Sequence, residues 1–238
     1  MTTFRVGVAY PDPPFNGMGE DRGGLDIDLI SAIGDRLGAT VRLVPYEGAD
    51  FNGIFDGLTA GIYDCVIAGT TVTPERQRRA DFAPPYLISG QSLAVDTARL
   101  PRVHSIDDLA GLTIGVQRGN TSQPIAQRLV AEGRAAGVRV YDYGGIRGAL
   151  DDLATGGCDA FMKLAPVLTE LVKPIADVEV VQRGISREEI AIAVPLGDDA
   201  ALRRITDAQA ELETDGTLQT LRRRWLGNPY RDQGLTTH

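Results

Sequence analysis

One seven-residue pattern occurs twice, at corresponding places in the two halves of the chain. "LTAGIYD" (58–64) and "LATGGCD" (153–159) both read Leu-x-x-Gly-x-x-Asp, and each leads into a short apolar run, "CVIAG" and "AFMKL". The elements around them run in the same order. In the first half, "FRVGVAY" reads as a strand. It is followed by "LDIDLISAIGDRLG", in which Ile27, Ile30, Ile33 and Leu37 fall at helical spacing. The strand "ATVRLVPY", the helix "FNGIFDGLTAG" and the strand "YDCVIAGT" come next. In the second half the order restarts with "LTIGVQRG", "QPIAQRLVAEGRAAG", "VRVYDY", "GALDDLATGG" and "CDAFMKL". Alternating strands and helices predict parallel-rich sheets with crossover helices, so the repeat predicts two similar α/β lobes.

The joins set the expected boundaries. "PPYLISGQSLAVD" (84–96) is extended and apolar, and "EEIAIAVPLG" matches it after the second half. Lobe 1 is expected over 4–89 plus 190–238 and lobe 2 over 95–188. Crossovers at about 88–95 and 188–194 would then act as a hinge. Two ordinary strands of a single sheet are the alternative. A single long helix is predicted from "DDAALRRITDAQAELETDGTLQTLRRRWLG".

At 238 residues, 43% of them hydrophobic, the chain has enough apolar surface for a real core. Its apolar runs are shorter than the ~18 to 20 residues of a membrane-spanning helix. Met1 runs almost at once into a strand, which fits a cytoplasmic chain or one whose leader has been removed. The net charge of −8 argues against nucleic acid or an anionic membrane as partner. Cys65 and Cys158 each open an apolar run beside an Asp and read as buried thiols. His104 and His238, the latter a candidate tag remnant, offer no metal-ligand spacing, so no metal or other cofactor is expected.

"GTTVTPER" (69–76) carries the first chemical signal. Thr73 and Pro74 predict a helix start, yet Arg76 follows in that first turn, where the backbone is already positive. A bound anion would reconcile the two, whereas an isolated "ERQRR" would be a solvated basic cluster. "VQRGNTSQPI" supplies a second strand-to-helix turn with outward-facing N–H groups, but it lacks the Gly-Lys-Ser/Thr ending of a P-loop.

Read together, these segments resemble the bacterial solute-binding proteins of family 3, the amino-acid-binding type of ABC importers. The resemblance runs from "RVGVAYPDPPF" through "GGLDIDLISAIGDRLG" and "GTTVTPERQRRADFAPPY" to "ELETDGTLQTLRRRWLG". It implies a two-lobed periplasmic-binding-protein-like fold of type II, with a ligand held in the cleft as the hinge closes. Arg76 would pair with a ligand carboxylate, Thr71 would hydrogen-bond it, and the backbone around Gly69 would meet the amino end. In the second lobe Thr121 would donate to the same carboxylate and Gln117 would line the pocket. Phe51 would face the ligand side chain, Phe15 matches a "YPPF"-type turn, and Asp12 stands where a pocket Tyr is common. A monomer working with a membrane permease, periplasmic or extracellular and free or lipid-anchored, is the expected setting.

The sequence departs from that pattern where an Asp usually meets the α-ammonium. That position is Leu164, preceded by Lys163, and Ala9 stands where a second Asp is frequent. Three readings follow: a ligand without an α-amine whose second acidic group meets Lys163, replacement of the lost Asp by Asp12, Glu188 or Glu189, or a Lys163 that reaches solvent. Two other classes stay open. The fold also resembles cyclohexadienyl dehydratases, for which Glu188 or Glu189 would be the general acid, and a ligand-sensing input domain would use the same cleft.

Overall fold

In a computed structural model, residues 2–17 and 23–227 are described; His238 lies outside them. The chain begins with β1 (Thr2–Ala9), α1 (Leu25–Leu37), β2 (Ala39–Tyr46), α2 (Ile54–Thr59) and β3 (Cys65–Val66). Next come β4 (Ala80–Phe82), β5 (Leu87–Ser89) and β6 (Gln91–Asp96). The second half holds β7 (Thr113–Gln117), α3 (Ser122–Ala131), β8 (Gly137–Tyr141), α4 (Ile146–Thr155), β9 (Ala160–Leu164), α5 (Ala165–Val172) and β10 (Val178–Gln182). The chain closes with β11 (Glu188–Ile190), β12 (Ala193–Pro195), α6 (Asp199–Thr214) and α7 (Thr217–Leu226). No helix among the described residues is long and apolar enough to cross a membrane.

The chain divides into two compact units. Unit 1 comprises the described residues of Met1–Tyr46, Gly57–Tyr86 and Ile190–His238; unit 2 comprises Glu47–Asp56 and Leu87–Glu189. Residues 47–56, expected in the first lobe, fall in unit 2. There Phe51 N–H donates to the Arg118 carbonyl, and Tyr143 N–H donates to that of Ala49.

Each unit is built on a five-stranded mixed sheet, in the order β2-β1-β3-β12-β4 in unit 1 and β10-β6-β9-β7-β8 in unit 2. In unit 1, β1 pairs in parallel with β2 and β3, while β12 is antiparallel to β3 and β4. In unit 2, β7 pairs in parallel with β8 and β9, while β6 is antiparallel to β9 and β10. The repeat therefore feeds β3 in unit 1 and β9 in unit 2, each of which occupies the centre of its sheet.

The repeated residues do the same work twice. The glycines end the preceding helices in the left-handed region, Gly61 at φ 66° and Gly156 at φ 92°. The Asp64 carboxylate accepts the Arg5 N–H at 2.7 Å while its own N–H donates to the Arg5 carbonyl. Asp159 does the same with Thr113, its carboxylate accepting that N–H at 2.9 Å. The aspartates thus satisfy the backbone where β1 meets β3 in unit 1 and where β7 meets β9 in unit 2.

The core of unit 2 shows the strand alternation. Leu93 and Val95, Ile114 and Val116, and Ala160 and Met162 bury on one face of β6, β7 and β9. Cys65 and Cys158 are buried free thiols, and burial raises both above the usual cysteine range.

The tail differs from the single helix expected. It breaks into α6 and α7 at Gly216, which sits at φ 82°, outside helical geometry. The expected helix after Thr73 is one 3₁₀ turn, Arg76–Arg78, leading directly into β4. No extended helix dipole therefore acts at Arg76, although the Thr73 hydroxyl does accept the Arg76 N–H at 3.2 Å.

If the repeated aspartates complete the sheets in this way, Asp64→Ala and Asp159→Ala should each lower stability by about 1–2 kcal/mol by stranding a backbone N–H. Urea unfolding measures this directly. Unchanged midpoints in both variants would show that water satisfies those donors.

Candidate functional site

The parallel strands of unit 1 end in the loops that carry its candidate residues. After β1, Asp12 and Asn16 close a tight turn, in which the Asp12 N–H donates to the Asn16 carbonyl and the Asn16 N–H returns to that of Asp12, both at 3.0 Å. Asp12 is buried, as is Phe15, whose ring lies under Gly69; a Cβ on Gly69 would stand 3.2 Å from it. Gly69, just beyond β3, has φ 55° and suits that close, left-handed bend.

The conformation of this loop depends on Asp26 in the first turn of α1. Its carboxylate accepts the Gly69 N–H at 2.7 Å, the Tyr86 hydroxyl at 2.6 Å and the Asn16 amide at 3.2 Å. Burial pushes the Asp26 carboxyl up to about 7, against the three hydrogen bonds that favour its ionised form, and Asp12 adds a smaller upward push. Further along the loop, the Thr70 carbonyl accepts the Ala191 N–H at 3.0 Å, and Thr71 bridges antiparallel to Ile190. The Thr71 carbonyl accepts from the Arg76 guanidinium at 2.9 Å, and Arg76 is only 4% exposed. Thr70 Oγ1 is buried with no hydrogen-bond partner among the described residues.

Unit 2 gathers a second polar group at the carboxyl ends of its parallel strands. Gln117 ends β7, and Lys163 lies one residue from the end of β9. The register that pairs Gly115 with Phe161 places these two side by side, two residues further on. Lys163 Nζ donates to Gln117 Oε1 at 2.6 Å. Gln117 is oriented in turn by its own amide donating to the Tyr143 carbonyl, and Asn120 donates to the same Oε1 at 3.4 Å. The Tyr143 ring, 5.8 Å from Lys163 Nζ, packs at 5.3 Å on that of Phe51. Lys163 is 2% exposed, so the reading in which it reaches solvent does not hold.

Beside this group lies Glu188. It accepts from Thr121 Oγ1 at 2.9 Å, from Gln91 Nε2 at 3.0 Å and from Ser186 Oγ at 2.7 Å. Gln91 Nε2 also donates to Thr121 Oγ1 at 2.9 Å. The single hydroxyl proton of Thr121 is thus directed at a protein carboxylate. Glu189, by contrast, is exposed and pairs with Arg187. Leu164 is buried and opens α5.

Asp26, Gln91, Tyr143 and Ser186 join these groups without having been singled out from the sequence. A signal existed for Asp26: it stands four residues before Ile30 and seven before Ile33, both buried, which puts an acid on the apolar stripe of α1. Gln91 and Ser186 carry no such signal, because strand pairing and loop closure bring them in.

The family model of bacterial extracellular solute-binding proteins, family 3, matches residues 4–228. The L-cystine-binding protein TcyJ of Escherichia coli (strain K12) is 30% identical over 228 residues, which cover 94% of this chain and 83% of that protein. Among solved structures, an ancestral arginine-binding protein bound to arginine aligns with a TM-score of 0.86 at 35% identity, covering 95% of this chain and 99% of that one. The ancestral amino acid-binding protein AncCDT-1, a precursor of cyclohexadienyl dehydratase, aligns at 0.82 and 30% identity, covering 94% and 95%.

Asp26 generates a pH prediction. Its folded-state value near 7 lies above the ordinary 3.8, so folding favours the protonated form. That stabilisation is complete below the unfolded value and is lost as pH rises through about 7. The stability of the wild type relative to Asp26→Asn should therefore fall between about pH 4 and pH 7 and level off above that. Chemical unfolding across this range tests it; a difference that is flat with pH would show that Asp26 keeps an ordinary value.

Proposed function

This chain belongs to the bacterial extracellular solute-binding proteins of family 3, and from that membership we propose that it is the substrate-binding component of an amino-acid ABC importer. The observation that carries the reading is the buried guanidinium of Arg76, held by the Thr71 carbonyl beside a loop that Asp26 fixes in shape. A guanidinium presents a planar fork of donors that matches a carboxylate, and burial strengthens the pairing. Arg76 takes the ligand carboxylate, with the Gly69–Thr71 segment and the Thr70 hydroxyl beside it. The position of these loops supports the assignment, since α/β sheets bind ligands at the carboxyl ends of their strands.

On this reading the protein works outside the cytoplasmic membrane, as a monomer, and delivers its ligand to a membrane permease. The likeness to AncCDT-1 keeps a dehydratase in view, but the geometry of Glu188 favours binding. A general acid aims an O–H at the leaving group. Both Glu188 oxygens are instead turned onto Thr121, Gln91 and Ser186. No turnover of prephenate or arogenate is expected.

Arg76→Ala should cost about 3 kcal/mol of binding for whichever amino acid binds tightest, with an unchanged circular dichroism spectrum. Arg76→Lys should recover only part of this, because an ammonium lacks the planar fork. Calorimetric titration measures both, and undiminished affinity in Arg76→Ala would remove Arg76 from the site.

A further inference from the structure

We propose that Asp26 is a proton-operated latch on the loop of unit 1 that carries Gly69, Thr70, Thr71 and Arg76. Ionised, its carboxylate clamps the Gly69 N–H and keeps the loop in its binding shape; protonated, it lets that bend relax, so ligand capture strengthens as pH rises. The latch lies wholly within unit 1. Its effect on capture rests on the importer reading, in which Arg76 takes the ligand carboxylate.

The direction of the hydrogen bonds carries the inference. The Gly69 N–H and the Asn16 amide nitrogen both donate to Oδ2 of Asp26, at 2.7 and 3.2 Å, and the Tyr86 hydroxyl donates to Oδ1 at 2.6 Å. Three donors suit an ionised carboxylate, whereas a neutral acid must itself give a proton. The Gly69 N–H can never accept it. The Tyr86 hydroxyl can turn and accept a proton held on Oδ1, but it then gives up its own bond to that oxygen, and Oδ2 becomes a neutral carbonyl. Hydrogen bonds to a charged oxygen are about twice as strong as those to a neutral one. A proton on Oδ2 instead would turn the Asn16 amide, whose Oδ1 is buried with no hydrogen-bond partner among the described residues. That proton would also compete directly with the Gly69 N–H. Either path weakens the same bond.

The bend at Gly69 depends on it. Gly69 sits at φ 55° with no Cβ to confine it, whereas Thr70 and Thr71 are tied to Ala191 and Ile190 whatever the state of Asp26. The groups around the carboxylate set where it titrates. Burial and the nearby Asp12 oppose ionisation, Tyr86, Gly69 and Asn16 favour it, and the carboxyl stands at about 7. Asp28, on the same helix, is turned to Trp225 and Arg224. From α7, Arg222 donates to the Tyr86 carbonyl at 2.7 Å and pairs with Glu213. The two charges of a zwitterionic ligand act on Asp26 with opposite sign, so the shape of the loop outweighs direct repulsion.

The ligand-free chain tests the latch by ¹⁵N NMR from about pH 5.5 to about pH 8. The Gly69 N–H and the Asn16 side-chain amide should shift with a common midpoint at about 7. Protection of the Gly69 N–H against hydrogen exchange should be about tenfold lower at the acid end. Tyr86→Phe should raise the midpoint, because it removes a donor that favours the ionised form, and Asp26→Asn should abolish the step. A wild-type Gly69 N–H whose shift and protection do not vary with pH overturns the latch, and that result needs no variant to fold. Calorimetric titration with the proteinogenic L-amino acids other than histidine and cysteine, whose charges are constant across this range, tests the coupling. Those that bind should bind about tenfold tighter at the alkaline end, in proportion to the competent fraction of the loop. Equal affinity at both ends overturns the coupling. Binding that survives Arg76→Ala, or no binding at millimolar concentration, would overturn the importer reading of this loop, while the ligand-free signals still decide the latch.

Discussion

One buried carboxylate holds the candidate site of unit 1 together. Asp26 reaches from the first turn of α1 to the N–H of Gly69 and also takes hydrogen bonds from Tyr86 and Asn16. Through these bonds a helix, the turn after β1 and the segment ahead of β5 are tied to the loop that carries Thr70, Thr71 and Arg76. A buried carboxylate is costly unless its lone pairs are met, so these donors are held in place as firmly as Asp26 itself. The loop presents its backbone in one shape, and the Arg76 guanidinium, anchored on the Thr71 carbonyl, starts from that shape. A ligand that binds there meets groups already positioned, and less of its interaction energy goes into ordering them.

Unit 2 solves the same problem with a different set of groups. Its sheet has the same plan of parallel and antiparallel pairs, and its polar residues again gather where parallel strands end. Two orienting chains meet there. One runs from the Tyr143 carbonyl through Gln117 to Lys163, and the other holds Glu188 between Ser186, Gln91 and Thr121. The pattern in both is a charged group whose direction is set by a neutral partner, itself fixed by the backbone or by a neighbouring strand.

Much of the fold could be read from the sequence, because the repeat encodes more than similarity. Its glycine sits where only a left-handed residue ends the helix without strain, and its aspartate caps the meeting of two strands in both sheets. The two-lobed α/β architecture followed from that pattern and the element order. The local detail was less legible. Thr73 and Pro74 looked like a helix start, but the chain makes a single 3₁₀ turn, Arg76–Arg78, before β4 begins at Ala80. The tail looked like one helix because a glycine inside a polar helical pattern reads as tolerated, while Gly216 adopts a positive φ. For the site, Arg76, Gly69, Thr71 and Lys163 stood out through their local setting or their departure from a family pattern. Asp26 was visible only as an acid on an apolar stripe. Gln91 and Ser186 depend on pairing between distant segments, which no local pattern reports. Thr121 shows the limit most plainly: its place at the start of α3 was legible, but the carboxylate that takes its proton lies 67 residues away.

The measurement closest to the central claim is a two-dimensional ¹⁵N NMR titration of the intact chain with a mixture of the proteinogenic L-amino acids, including the side-chain Nε–H of Arg76. The account predicts that the backbone amides of Gly69, Thr70 and Thr71 and the Arg76 Nε–H shift together and saturate with the same dependence on concentration. Saturable shifts elsewhere, with these four resonances unmoved, would contradict it and place the ligand at another site.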